Sequence, residues 1–131
     1  MQRTSIATLA LGLLVSAFNA PAFAVANFGT YSFLRNTPAG SFTDSDWTAF
    51  RAALNDALNE AKDGETRSWQ NPGTGANGEF TMLRTVRQPN VDCREVRMTN
   101  SAGGWKRTTG QVFCVGDDGV WKLGPARMRS R

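Results

Sequence analysis

The chain has 131 residues, a net charge of +4, two cysteines and no histidine. That length bounds it to one domain, and the missing histidine removes histidine-based triads and most zinc and iron sites. Arginine accounts for 12 of the 15 basic residues, and its planar fork suits carboxylate or phosphate; the charges are scattered, which fits a mildly basic solvated surface as well as an anionic partner.

Residues 1–24 have the three parts of a secretory signal: Arg3 at the start, an apolar run from Ile6 to Phe18, and Ala22-Phe23-Ala24 before the cut. The apolar run falls short of the about 20 residues that a membrane-spanning helix needs, so no membrane span is expected. Cleavage after Ala24 is predicted to release a chain beginning Val25-Ala26-Asn27. No cysteine near the cut offers an acceptor for a lipid anchor. Removing 24 of 131 residues leaves 107, and losing Arg3 lowers the net charge to +3. A core of that size is marginal. Export to an oxidising space makes one disulfide between Cys93 and Cys114 both possible and useful.

Residues 25–42 lack a helical period and end in the turn formers Asn36-Thr37-Pro38-Ala39-Gly40, which predicts an extended lead-in closed by a turn. Phe28, Tyr31, Phe33 and Leu34 are too apolar for a free tail, so some of them should pack on the domain. From Thr43 the period becomes helical: Trp47, Phe50, Leu54, Ala57, Leu58 and Ala61 fall on one face. Thr43 and Asp46 have the spacing of a capping box, with Phe42 and Trp47 as a hydrophobic staple. Asp44 and Asp46 also suit the positive end of the helix dipole. Gly64 is the expected stop. At this spacing the aromatic stripe predicts core packing against a sheet rather than a ligand platform.

After Gly64 the pattern is that of strands. Residues 65–70 form the first, and 71–78 (Asn-Pro-Gly-Thr-Gly-Ala-Asn-Gly) the loop that follows. Across 79–87, Phe80, Met82, Arg84 and Val86 alternate with Thr81, Leu83, Thr85 and Arg87, the two-residue period of a strand. Pro89-Asn90 breaks it. Residues 92–100 and 105–115 pair around Ser101-Ala102-Gly103-Gly104, and Gly116-Asp117-Asp118-Gly119 leads into a last strand at 120–123. If Gly103 and Gly104 are the central residues of a two-residue turn, cross-strand partners have numbers summing to 207, as 93 and 114 do. The cysteines would then face each other at a non-hydrogen-bonded pair, where opposing side chains come closest. A bulge at Gly110 would shift this register by one. Either way the thiols are within reach. Their spacing is unlike Cys-x-x-Cys, and with no histidine to activate a thiolate the pair reads as structural.

The acids have structural readings too: Asp44 and Asp46 in helix capping, Asp117 and Asp118 in a tight turn. Glu65, Glu79, Asp92 and Glu95 are single acids on strands. No pair shows matched acid and base roles, so no enzyme and no cofactor is expected.

Ser68-Trp69-Gln70-Asn71-Pro72, Thr74-Gly75, Gly78, Cys93-Arg94-Glu95, Gly110, Cys114 and Asp118-Gly119-Val120-Trp121 occur in that order. This set resembles the C-terminal domain of the bacterial surface antigen family, typified by the rickettsial seventeen-kilodalton common antigen. Phe33-Leu34 and the helix from Phe42 to Leu58 also look like the lead-in of its proteobacterial relatives. Typical members carry a lipid-modified cysteine after the signal and a glycine-zipper region, and this chain has neither. The resemblance implies an antigenic envelope protein rather than a known reaction.

The expected architecture is α+β, with one amphipathic helix followed by an antiparallel sheet of four to five short strands and one disulfide. The domain is expected at 43–123, between the lead-in at 25–42 and a basic tail at 124–131. The expected role is that of an exported, non-enzymatic envelope protein, periplasmic or at the outer-membrane surface of a Gram-negative bacterium, that binds a partner or gives structural support. The alternative is a secreted or periplasmic inhibitor or immunity-like protein that presents loop 71–78 to a hydrolase or toxin. Candidate partner contacts are Asn71, Gly73, Thr74 and Gly75 in that loop, Arg94, and the tail arginines Arg127, Arg129 and Arg131. Arg94 could instead pair with Glu95, Asp117 or Asp118. The tail reads as solvated or as touching an anionic surface. Trp69 and Trp121 should be core or sheet-face residues with partnered indole N–H groups. The partner is a protein or an anionic envelope component, with no nucleic acid.

Overall fold

The computed structural model describes residues 28–125. The signal at 1–24 and the tail arginines Arg127, Arg129 and Arg131 lie outside the described residues. One helix, α1 (Asp44–Glu60), precedes five strands: β1 (Thr66–Gln70), β2 (Asn77–Gln88), β3 (Val91–Ala102), β4 (Trp105–Val115) and β5 (Trp121–Leu123). They form one antiparallel sheet in chain order, as short connections between neighbouring strands favour. The lead-in is not extended. It folds into two 3-10 helices, Phe28–Leu34 and Pro38–Ser41. Thr37 Oγ1 donates to Leu34 O at 2.6 Å and accepts from Ala39 N, so the turn formers wind the chain locally. Leu34, Pro38 and Ala39 are buried there, and Tyr31 and Phe33 pack on the core.

The start of α1 is the expected one. Asp46 N donates to Thr43 Oγ1 and Thr43 N donates to Asp46 Oδ2, while the Phe42 and Trp47 rings lie 5.3 Å apart. Its buried stripe of Phe50, Leu54, Ala57 and Leu58 lies against one face of the sheet, where Trp69, Phe80, Met82, Val96, Met98 and Phe113 are buried. Phe50 is the hub of an aromatic cluster, with edge-on contacts to Tyr31, Trp47, Trp69 and Phe80 at 5.3–5.9 Å. The helix ends at Ala61, whose backbone turns extended, and Gly64 (φ +86°) lies in the turn that carries the chain from the helix into β1. Gly64 therefore reverses the chain after the helix and does not cap it.

The β3–β4 hairpin follows the sum of 207 throughout, from Ala102 opposite Trp105 to Cys93 opposite Cys114. Gly103 and Gly104 both have positive φ, as a tight turn matching strand twist requires. The cysteines form the disulfide, with Cα atoms 4.0 Å apart. No bulge occurs at Gly110; the irregularity is in β2, between Met82 and Arg84. Its cause is electrostatic. Continuing the regular register past Met82 opposite Val96 would set Arg84 against Arg94 on the buried face, and like charges there are costly. The extra residue, Leu83, puts Arg84 opposite Glu95, which it meets at 2.8 Å, and Thr85 opposite Arg94. The expected grouping of Phe80, Met82, Arg84 and Val86 on one face therefore stops at Met82. Val86 crosses to the face of Cys93.

On the core side the Trp69 indole N–H donates to buried Asn100 Oδ1 at 3.3 Å, beside Gly78. A Cβ at Gly78 would stand 2.6 Å from both Trp69 Nε1 and Asn100 Oδ1 and would also press on the Thr99 carbonyl. Gly78→Ala is expected to destabilise by about 1–3 kcal/mol, read from the midpoint of urea unfolding. An unchanged midpoint would show that this corner relaxes freely.

Candidate functional site

The inward face of β3 carries Val96, Met98 and Asn100, and Arg94 continues it. An arginine on that face must either be neutralised or reach polar groups. It reaches the end of α1, where the Leu58 and Ala61 carbonyls lie beyond the bond that Ala61 N donates to Ala57 O. Nη1 donates to Ala57 O and Leu58 O, Nη2 donates to Ala61 O and to Asp63 Oδ1, and Nε donates to Thr85 Oγ1. All five N–H groups are thereby used. A cation there also suits the negative end of the helix dipole. Arg94 is a clamp between sheet and helix, and its partners are none of Glu95, Asp117 and Asp118.

Asp63 completes the clamp: its carboxylate also accepts from Thr85 N and Oγ1. The Thr85 hydroxyl bond, outweighing desolvation together with the Arg94 bond, holds the Asp63 carboxyl below its ordinary value. Above this floor opens a cleft of about 700 Å³ with Asn59, Lys62, Arg87, Asp92 and Trp121 around it. The Trp121 indole N–H donates to Asn59 Oδ1 at 2.9 Å, and Arg87 pairs with Asp92 at 3.2 Å. Both tryptophans thus have the expected partnered indoles.

The loop is shorter than expected, because Asn77 and Gly78 already pair with β1 as the start of β2; its residues 72–75 are exposed, but it is tethered. Asn71 Nδ2 and Thr74 Oγ1 both donate to Asp46 Oδ1, Asn71 Nδ2 also to Ser45 Oγ, and Ala76 is buried. Gly73 N donates to Asn71 Oδ1, and Gly75 adopts positive φ, so Asn71, Gly73, Thr74 and Gly75 form one hydrogen-bonded unit on the N-terminus of α1. This unit and Arg94 sit at opposite ends of the helix, so the two groups do not form one site. Desolvation raises the Asp46 carboxyl, but bonds from Thr74, the Thr43 backbone, Asn71 and the Thr43 side chain outweigh it and leave it below its ordinary value.

With both carboxyls lowered, the folded chain binds fewer protons than the unfolded one. Their stabilisation is complete above about pH 5 and is lost as pH falls through and below the unfolded value of 3.8. Stability is expected to fall steeply over that window, and Asp46→Asn should flatten the acid limb of a stability profile measured by urea titration. An unaltered limb in Asp46→Asn would remove Asp46 from the account.

Sequence reasoning did not find Asp63, Asn59, or the second role of Asp46. A signal existed for the clamp: in the 207 register, Arg94 shares parity with Val96 and Met98, and a buried arginine needs acceptors. Among the other acids, Glu65 pairs with Arg67, Glu95 with Arg84 and Asp118 with Lys122. Among the described residues no helix is long and apolar enough to cross a membrane.

These features define a disulfide-braced helix-on-sheet domain, with an arginine clamp and an open polar cleft at the C-terminal end of its helix. Residues 56–122, about half of the chain, match the family model described as 17 kDa outer membrane surface antigen, and the chain belongs to that family. The matched span contains the disulfide, Arg94 with all its partners, and every residue lining the cleft. Membership points to a cell-surface or envelope location. No curated protein and no solved structure matches the chain.

Proposed function

We propose that this is an exported, non-enzymatic protein of the Gram-negative envelope, in the periplasm or at the outer-membrane surface, acting by binding an anionic envelope component or by structural support. The observation that carries this reading is the family match over 56–122. The Cys93–Cys114 bond suits an oxidising compartment, and the signal-like residues 1–24 supply a route to it. The use of Asp46 in a cap, Asp63 in the clamp, and Glu65, Asp92, Glu95 and Asp118 in ion pairs supports a role without catalysis. The test is intact mass and thiol count on protein from the exported fraction, followed by sedimentation with cell wall or anionic vesicles. A chain beginning at Val25 with no free thiol, retained by envelope and released by salt or by removal of Arg127, Arg129 and Arg131, is the expected result. A full-length reduced chain in the cytoplasm would overturn it.

The tethering of loop 71–78 favours a second reading, an inhibitor or immunity-like protein, because a preorganised loop loses little entropy on binding. That reading predicts a salt-resistant stoichiometric complex with a soluble hydrolase or toxin, weakened by a Gly73 substitution that leaves the fold intact, Gly75 being held at a positive φ that a side chain would strain. Without such a complex this reading falls.

A further inference from the structure

We propose that the cleft at the C-terminal end of α1 binds an acidic saccharide, with the sugar ring against the Trp121 indole and its carboxylate or phosphate met by Lys62 and Arg87. The inference rests on the envelope reading above for the source of the ligand.

The cleft has the volume of a ligand site, about 700 Å³, but is open and polar, which suits a hydroxylated ligand better than an apolar one. Trp121, partly buried on the core, lines the cleft, and its N–H is already held by Asn59. Its ring is thereby oriented, and an aromatic face packs well on the apolar C–H face of a sugar. The floor has no donor to spare, and its Asp63 carboxylate, 49% exposed, keeps acceptor capacity on Oδ2. Arg94 has spent all five donors inside the fold, and both Asp63 oxygens accept bonds.

What remains is mostly donors. The Lys62 ammonium is exposed. The Arg87 side chain is 79% exposed and gives only Nη1 to Asp92. Asn59 uses its oxygen, which leaves the amide N–H groups. Excess donors at two cations call for an acceptor-rich anion. Asp92, 35% exposed, is left to accept a sugar hydroxyl. A concave site walled by one ring fits a protruding sugar and not the flat plane of a membrane surface.

The test is proton–nitrogen correlation spectra of the full chain titrated with three probes: a disaccharide muropeptide bearing carboxylates, a lipid-free phosphorylated inner-core oligosaccharide, and neutral chitotetraose. At least one acidic probe should shift the Asn59 amide and the Trp121 indole N–H saturably, with Kd of about 10 μM to 1 mM. Lys62→Gln and Arg87→Gln, both at exposed positions, should each weaken binding about tenfold while moving the unfolding midpoint little, since they remove a charge without setting a second carboxylate opposite Asp92. Response to the muropeptide, the phosphorylated probe or both supports the site and names its source. Equal binding of chitotetraose, or shifts with anionic vesicles but no saccharide, would overturn it. If no probe moves these signals while the protein still sediments with envelope, the cleft assignment falls and the envelope reading stands. Binding by a chain that is never exported would do the reverse.

Discussion

Replacing Arg94 with alanine is expected to lower the unfolding free energy by about 3–5 kcal/mol, the scale for deleting one partner of a buried charge network. The ion pair itself is the smaller part, because the Asp63 side chain is 49% exposed and its attraction is screened. The larger part is the helix end. Without the guanidinium the carbonyls of Leu58 and Ala61 lose their side-chain donor, while Ala57 O keeps its bond from Ala61 N, and an acceptor stranded away from water costs about 1–3 kcal/mol. Arg94→Lys should recover little, since an ammonium has three donors and no planar fork. The measurements are urea midpoints and amide exchange in the last turn of α1 and in β2 around Thr85. A loss below about 1 kcal/mol would show that water replaces the clamp.

The disulfide is expected to contribute about 3 kcal/mol, from closing a loop with a sequence separation of 21. In a domain whose total stability is on the order of 5–15 kcal/mol, that is a large share. The Cys93→Ser, Cys114→Ser double variant should melt about 12–24 °C lower, and reductant should move the wild type toward it. Because the bond acts mainly on the unfolded chain, the variant should retain the native sheet when it folds. A melting point unchanged by both treatments would mean that the Gly103-Gly104 turn and the β3–β4 ladder hold the register alone. Arg94 faces the helix and Cys93 the opposite side of β3, but the two are adjacent in the chain, so the variant lacking both measures their coupling and not a simple sum.

Local patterns were strong enough to be read directly. The capping box at Thr43 and Asp46, the buried stripe of α1 and the Gly-Gly hairpin each depend on residues close in the chain, and the hairpin register carried the disulfide with it. The lead-in was misread because Thr37 and Pro38 promote local winding as readily as an open turn. The β2 alternation was misread because its bulge answers a residue on another strand: only opposite Arg94 does a regular Arg84 become intolerable.

The site divides in the same way. Cys93, Cys114, Trp69 and Trp121 could be singled out in the sequence, since their residue types and spacing limit what they do. The helix-end acceptors of Arg94, the loop donors to Asp46 and the Asn59 acceptor of Trp121 lie between 25 and 62 positions away. No local preference encodes such distances; they follow from how α1 settles on the sheet. The sequence by itself determined the class of fold, the disulfide and the resemblance to surface antigens, all set by short-range periodicity and turn chemistry. Only the tertiary structure decided that Arg94 closes the helix, that loop 71–78 is tethered through Asp46, and that a cleft opens beside Trp121. Each of these depends on which buried polar group finds which acceptor once the helix has packed.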